Sequence, residues 1–246
     1  MGIDLHQDLI NKNREYWEQK PLLQTLYGDF YRLIAQNLSS LPDRKIVELG
    51  SGLGNIRDVI PDCLRTDLFS NPWIDQMENA YKLSFADESI SDLILTDVFH
   101  HLKYPGTALK ELRRVLRKGG RVIMLEPCMS ALGILVYGIP HDEPIAVLKK
   151  IEWAAPDGWS PESIDYYAAQ GNATRIFVGT RFRSRLAEWQ KIETIRLSAI
   201  AYAASGGFSK PQLYPTSLLP SIRKLEKVLD LFPALFATRL LVILKK

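Results

Sequence analysis

Glu48 stands just before three closely spaced glycines, Gly50, Gly52 and Gly54, in the stretch KIVELGSGLGN over residues 45–55. Asp67 closes the next short apolar run, CLRTDL over 63–68. A pair of histidines, His100 and His101, follows a third run, and His141, Asp142 and Glu143 lie together further on. Carboxylates beside a flexible backbone can hold a polar ligand, and imidazoles titrate near neutrality, so these residues can bind and can move protons.

The glycine loop narrows the ligand. Dinucleotide sites use G-x-G-x-x-G and set the pyrophosphate on a helix N-terminus. Here the spacing is G-x-G-x-G, and the position of the third dinucleotide glycine is Asn55. Glu48 would repel a pyrophosphate but suits an ammonium group. The combination points to S-adenosylmethionine, which carries an amino-acid moiety and a sulfonium cation but no phosphate. A glycine-rich turn without a ligand is the plainer alternative. An acid at Asp67 can accept from two ribose hydroxyls, or it can simply cap a turn. The segment after it, LFSNPWIDQME, is short and holds Pro72, so a full helix does not fit there and Asp75 competes with Asp67 for the ribose role.

These residues need a frame. Apolar positions over 4–40 predict one or two helices, broken at Pro21. From residue 45 short branched apolar runs alternate with helical ones: strands over 45–50, 63–68, 91–98 and 121–127, and a helix over 107–120 that stops at Gly119. That alternation predicts a parallel sheet covered by helices on both faces. In such a sheet ligands bind at the carboxyl ends of the strands, where the glycine loop lies. After Pro127 the pattern weakens, and residues 128–180 read as a partly helical insertion holding Trp153, Trp159, Tyr166 and Tyr167. A short helix over 181–190, a strand over 191–202, a helix over 221–232 and a closing strand over 239–246 follow.

Taken together, VELGSGLG, then LSFADESISDLILTDVFHHL, then ELRRVLRKGGRVIMLEP resemble the class I S-adenosylmethionine-dependent methyltransferases, particularly their small-molecule members, over about residues 44–127. The resemblance implies an α/β, Rossmann-like, doubly wound sheet of seven strands, mostly parallel, whose last strand runs antiparallel. It implies that Glu48, Gly50, Ser51, Gly52 and Gly54 face the methionine part of the cofactor and that Asp67 holds the ribose. Asn79 and Ala80 would lie beside the adenine, and Thr96 and Asp97 would line the site from the fourth strand. Asn79 stands where the family often has Asp, but an amide oxygen still accepts from an adenine amino group. A single domain over 1–246 is expected, with a helical cap (1–43), a cofactor half (44–127), an inserted lid (128–180) and C-terminal strands and helix (181–246).

The whole chain bounds the remaining choices. It has 246 residues, 46% of them hydrophobic, with 31 Lys and Arg against 28 Asp and Glu, a net charge of +3. That balance does not call for nucleic acid, and TDVFHHL lacks the N/D-P-P-Y/F/W of base-amino methylation. The polar first residues do not read as a signal peptide, and no stretch reaches the roughly 20 apolar residues of a membrane span. Cys63 and Cys128 form no metal-type pair, so no metal is expected, and a reduced, cytoplasmic protein is. The expected activity is methyl transfer to a small-molecule, saccharide or lipid-linked acceptor, on oxygen. A non-catalytic cofactor-binding module and an NAD-type oxidoreductase are the alternatives. An oxygen acceptor needs a base; His100, His101, His141, Asp142, Glu143 and Glu126 are candidates. His141, in the insertion that should cover the acceptor, is favoured over His101, at the cofactor end.

Overall fold

Ile46–Leu49 (β1) is buried at all four positions, as a strand covered on both faces must be. In this computed structural model, which describes residues 3–139, 143–163 and 167–246, β1 pairs in parallel with Leu64–Asp67 (β2) and with Ile90–Thr96 (β4). Gln76–Met77 (β3) is a two-residue edge strand on β2, and Leu116–Pro127 (β5) continues the parallel set beside β4. Arg239–Lys245 (β7) runs antiparallel between β5 and Lys191–Leu197 (β6). The order β3-β2-β1-β4-β5-β7-β6 gives the expected seven-stranded, doubly wound sheet with an antiparallel last strand. The chain runs outward from β1 through β2 and β3, then returns to β4 on the other side of β1. The carboxyl ends of β1 and β4, in register at Leu49 and Leu95, therefore flank the crevice where the order reverses.

Pro21 divides the N-terminal segment into Ile3–Gln19 (α1) and Pro21–Gln36 (α2). Leu23, Tyr27, Phe30, Tyr31 and Ile34 of α2 bury against one face of the sheet, beside Ile46, Ile94 and Ile123. The other face is covered by Pro105–Val115 (α3), through Ala108, Leu109, Leu112 and Val115. This helix is shorter than the expected 107–120. It ends because Leu116 joins the sheet opposite Ile90, while Gly119 N–H donates to the Lys246 carbonyl. The insertion opens with Ala131–Gly138 (α4), capped by Ser130, and its later part holds a π-helical turn over Thr174–Val178. The helix expected over 181–190 is only a 3-10 turn, Arg183–Leu186. Gln190 already donates to Lys245, which commits the chain to β6. β6 itself stops at Leu197, and Ile200–Ala204 (α5) follows; Leu219–Leu229 (α6) and Pro233–Phe236 (α7) lead into β7. Among the described residues no helix is long and apolar enough to cross a membrane.

One buried ion pair crosses the end of the sheet. Arg239, 1% exposed, donates from both terminal nitrogens to the two Asp97 carboxylate oxygens, at 2.6 and 2.7 Å. Its guanidinium also lies over the rings of Phe30 and Tyr202, 5.4 and 5.0 Å from their centroids. Asp97 has φ +57°, a conformation that a non-glycine residue keeps only when its surroundings enforce it. Removing one partner of a buried pair strands the other charge at a cost of about 3–5 kcal/mol. Asp97 keeps partial solvent access, so Arg239→Met should destabilise the fold by the lower figure, about 3 kcal/mol, read as a fall in the urea midpoint with unchanged slope.

Candidate functional site

Two glycines build the loop after β1. Gly50 has φ +70°, and a Cβ there would lie 2.4 Å from Val98 Cγ2, so the loop rests directly on the turn that leaves β4. Gly52 has φ +52° and nothing within 4 Å of where a Cβ would stand, so this part of the loop borders open space. Ser51 N–H donates to the Thr66 carbonyl at 2.8 Å, tying the loop to β2.

Glu48 lies beneath this loop, 2% exposed, and its Oε2 is buried with no hydrogen-bond partner among the described residues. Burial pushes its pKa up to about 7; Asp67 adds to the rise, while Ser51 and Arg65 oppose it. Asp67 points at the loop: its Oδ2 accepts from Gly52 N–H at 3.0 Å and its Oδ1 from Leu68 N–H at 2.7 Å. Asp75 is occupied elsewhere, paired with Arg57 at 2.7 Å and Arg65 at 2.9 Å, and Arg65 holds its carboxyl below the usual range. The sequence left these two acids in competition; in the structure Asp67 alone of the two meets the glycine loop.

Asn79 and Ala80 follow β3. Asn79 Oδ1 accepts from Tyr81 N–H, and its Nδ2 donates at 2.9 Å to the Pro161 carbonyl of the insertion. From β4, Thr96 presents a buried Oγ1 that makes no hydrogen bond among the described residues, whereas Asp97 is drawn to Arg239.

The histidine pair divides. His100 is buried, with Nδ1 2.6 Å from Glu126 Oε2 and Nε2 3.2 Å from Glu143 Oε2. Burial lowers its pKa, but the two carboxylates outweigh that and push it up to about 10. His101, one-third exposed, has Nδ1 2.9 Å from the Tyr167 carbonyl, and burial and His100 lower its pKa. Glu126, one of the candidate bases, is fully buried and accepts from the backbone N–H groups of Val98, Phe99 and His100. Glu143 comes between the two histidines from 43 residues further along than His100. Sequence spacing gave no sign of that meeting, because the insertion that carries Glu143 has no regular period. His141, the favoured base, and Asp142 lie outside the described residues, as does Tyr166.

The insertion's aromatic residues separate in the same way. Trp153 stacks on Phe182, with centroids 5.4 Å apart, and its carbonyl accepts from Gly106 N–H at the start of α3. Trp159 meets Tyr81 and Tyr104 edge-on, 5.0 and 5.1 Å between centroids. Together with His101, Lys103 and Tyr167 these three rings line a cleft of about 190 Å³.

Glu48 makes a pH prediction. Its pKa in the folded chain, about 7, is above the ordinary 4.5. Below about pH 4.5 both states hold the proton and it contributes nothing. Between about pH 4.5 and 7 the unfolded chain releases the proton and the fold retains it, so stability falls as pH rises. Above pH 7 the loss levels at about 3 kcal/mol, since each tenfold change in proton affinity is worth about 1.36 kcal/mol. Glu48→Gln should flatten this part of the stability curve, measured from urea midpoints between about pH 5 and pH 8.

Residues 48–124 match the family model described as a methyltransferase domain. Among solved structures, the chain is similar to an S-adenosylmethionine-dependent methyltransferase of Thermotoga maritima, with a TM-score of 0.59 and 15% identity, covering 97% of this chain and 99% of that one. It is also similar to one from Archaeoglobus fulgidus, with a TM-score of 0.52 and 12% identity over 91% of this chain and 94% of the other. A geranyl diphosphate methyltransferase, solved with S-adenosylmethionine, aligns with a TM-score of 0.50 and 10% identity over 89% and 84%. No curated protein sequence matches the chain. At these identities the likeness fixes the fold: the chain has the architecture of the class I methyltransferases, and the match to the family model lies over residues 48–124, its cofactor-side half.

Proposed function

We propose that this chain, a class I methyltransferase, transfers a methyl group from S-adenosylmethionine to a hydroxyl oxygen of a small acceptor, a saccharide or a lipid-linked saccharide. The observation that carries the reading is Glu48: a buried carboxylate oxygen with no partner among the described residues, under a glycine loop open at Gly52. Leaving a buried acceptor unsatisfied costs about 1–3 kcal/mol. A ligand bearing an ammonium and a sulfonium supplies the missing partner and the compensating charge. S-adenosylmethionine is such a ligand, and when bound it supplies an electrophilic methyl group.

The chain's own residues then have distinct tasks. Glu48 faces the cationic end, and Ser51, Gly50 and Gly54 keep the loop close to it. Asp67 exchanges its bond from Gly52 N–H for the ribose hydroxyls. Asn79 and Ala80 border the adenine side, and Thr96 offers its Oγ1 from β4. NAD fits less well. The loop runs into a single 3-10 turn, Asn55–Asp58, and so presents no full helix N-terminus to a pyrophosphate.

The acceptor belongs in the cleft of Tyr81, Tyr104, Trp159 and Tyr167, whose flat, amphipathic rings suit the apolar face of a sugar. His101 is the described histidine that reaches it. Cys63 and Cys128 are both buried free thiols, which accords with the reducing cytoplasm as the working compartment.

Calorimetric titration with S-adenosylmethionine, its demethylated product and NAD separately is the test. The first two should bind; tight NAD binding with no response to the methyl donor would overturn the reading. Asp67→Ala should weaken binding of the methyl donor by about 1.5–3 kcal/mol, the range for hydrogen bonds to a charged group. Ionised Glu48 is the form that meets a cation, so affinity should rise as pH climbs through about 7. Glu48→Gln should lose both affinity and that pH dependence.

A further inference from the structure

His100, His101 and Glu143 each bring one ligand-capable atom to within 4.8 Å of the others. Both imidazoles have Nδ1 committed to an outer partner. His101 Nδ1 lies 2.9 Å from the Tyr167 carbonyl, which can only accept, so Nδ1 carries the proton and Nε2 the lone pair. His100 Nδ1 lies 2.6 Å from Glu126, a carboxylate buried under three backbone N–H groups. The two Nε2 atoms face one carboxylate, at 3.2 Å from Glu143 Oε2 and 3.6 Å from Glu143 Oε1. Gln170 Nε2 steadies that carboxylate with a 2.9 Å hydrogen bond.

Ligand atoms held at about 2.0–2.1 Å around a tetrahedral ion stand about 3.3–3.4 Å from one another. The two histidine–carboxylate separations, 3.2 and 3.6 Å, bracket that figure, and the three ligand atoms all lie within 4.8 Å of one another. Histidines whose outer N–H is tied to a carboxylate or a backbone carbonyl are the arrangement by which proteins orient metal ligands. A purely structural His–Glu contact explains one such bond, but not two imidazoles turned by separate outer partners toward the same carboxylate.

We propose that His100, His101 and Glu143 form a binding site for a divalent first-row transition ion. Two imidazole nitrogens and one carboxylate favour zinc, manganese, iron(II) or cobalt over magnesium and calcium, which prefer all-oxygen sites. Each histidine coordinates through Nε2 and Glu143 through a carboxylate oxygen. The proton on His100 Nε2 leaves as the ion takes its place. His101 also lines the aromatic cleft, so the site adjoins the space assigned to the acceptor. There the ion would hold and acidify an acceptor hydroxyl. That role rests on the methyl-transfer reading, while occupancy by the ion does not.

The experiment is calorimetric titration of untagged, chelator-treated protein with zinc and with manganese alone, without methyl donor or acceptor. We expect one ion per chain. Loss of a single outer partner costs about 10–100-fold in metal affinity, so loss of a ligand in His101→Ala or Glu143→Gln should cost at least about 100-fold. Both side chains are partly exposed, at 33% and 23%, and unchanged thermal unfolding midpoints of the ion-free variants would show that the fold survives. Should a variant unfold, the visible absorption of the cobalt-loaded native protein still decides, since it distinguishes nitrogen ligands from water alone. No stoichiometric binding, equal binding by both variants, or a cobalt spectrum without nitrogen ligation would each overturn the site. Ion binding here, together with no binding of the methyl donor in its own separate titration, would instead uphold the site and sink the methyl-transfer reading.

Discussion

The Glu126 carboxylate is the contact on which the rest of this site depends. It is fully buried at the end of β5, where an unpaired ion would cost several kcal/mol. It is tolerated because one oxygen accepts from Val98 and Phe99 N–H at 2.9 and 2.7 Å, and the other takes up His100. Those donors all belong to the turn leaving β4, so Glu126 fixes the path of that turn. Three consequences follow from its position. Val98 is set against Gly50, which leaves the glycine loop one way to run. Phe99 is directed into the core against Phe177, with centroids 5.2 Å apart. His100 and His101 are directed toward Glu143.

The same turn is held from its other end by charge of opposite sign. Asp97 is fixed by Arg239, which enters from β7 and lies against two aromatic rings that meet edge-on, Phe30 of α2 and Tyr202 of α5. The second N-terminal helix and the closing strand thus reach the turn through one guanidinium. The cap is part of the device that keeps the end of β4 in an otherwise unfavourable backbone conformation, rather than an appendage beside it.

What was legible in the sequence was local. Parallel strands are buried on both faces, so β1, β4 and β5 appear as apolar runs, and the glycine loop and Asp67 follow them in order. β3 could not be read that way: it is two residues long, half-buried to exposed, and exists only because it pairs with Thr66 and Asp67. The early end of α3 was hidden for a related reason. Residues 116–120 keep helical spacing, and their commitment to the sheet comes from Ile90 and Lys246, distant in sequence. Asp67 and Asp75 could be told apart only through Arg57 and Arg65, whose reach is a matter of three dimensions. Composition could not separate Trp153, which packs on Phe182, from Trp159, which lines the cleft. Glu143 was a candidate in name only until the insertion folded back onto the histidines.

The distribution of unsatisfied polar atoms gives the fold a direction. Buried polar groups in native proteins nearly always find partners, so exceptions call for a physical reason. Of the six buried side-chain atoms without hydrogen bonds among the described residues, three are Glu48 Oε2, Thr96 Oγ1 and Asn71 Nδ2. They stand on or just beyond β1, β4 and β2, the three strands around the point where the sheet order reverses. A core selected for stability alone would have replaced or paired them. A carboxylate, a hydroxyl and an amide left waiting at one end of the sheet are what a ligand with a cation and several hydroxyls would satisfy. The strain is therefore local and chemical: the chain keeps Glu48 in a place that disfavours its charge, and a cation entering beneath the glycine loop is what would relieve it.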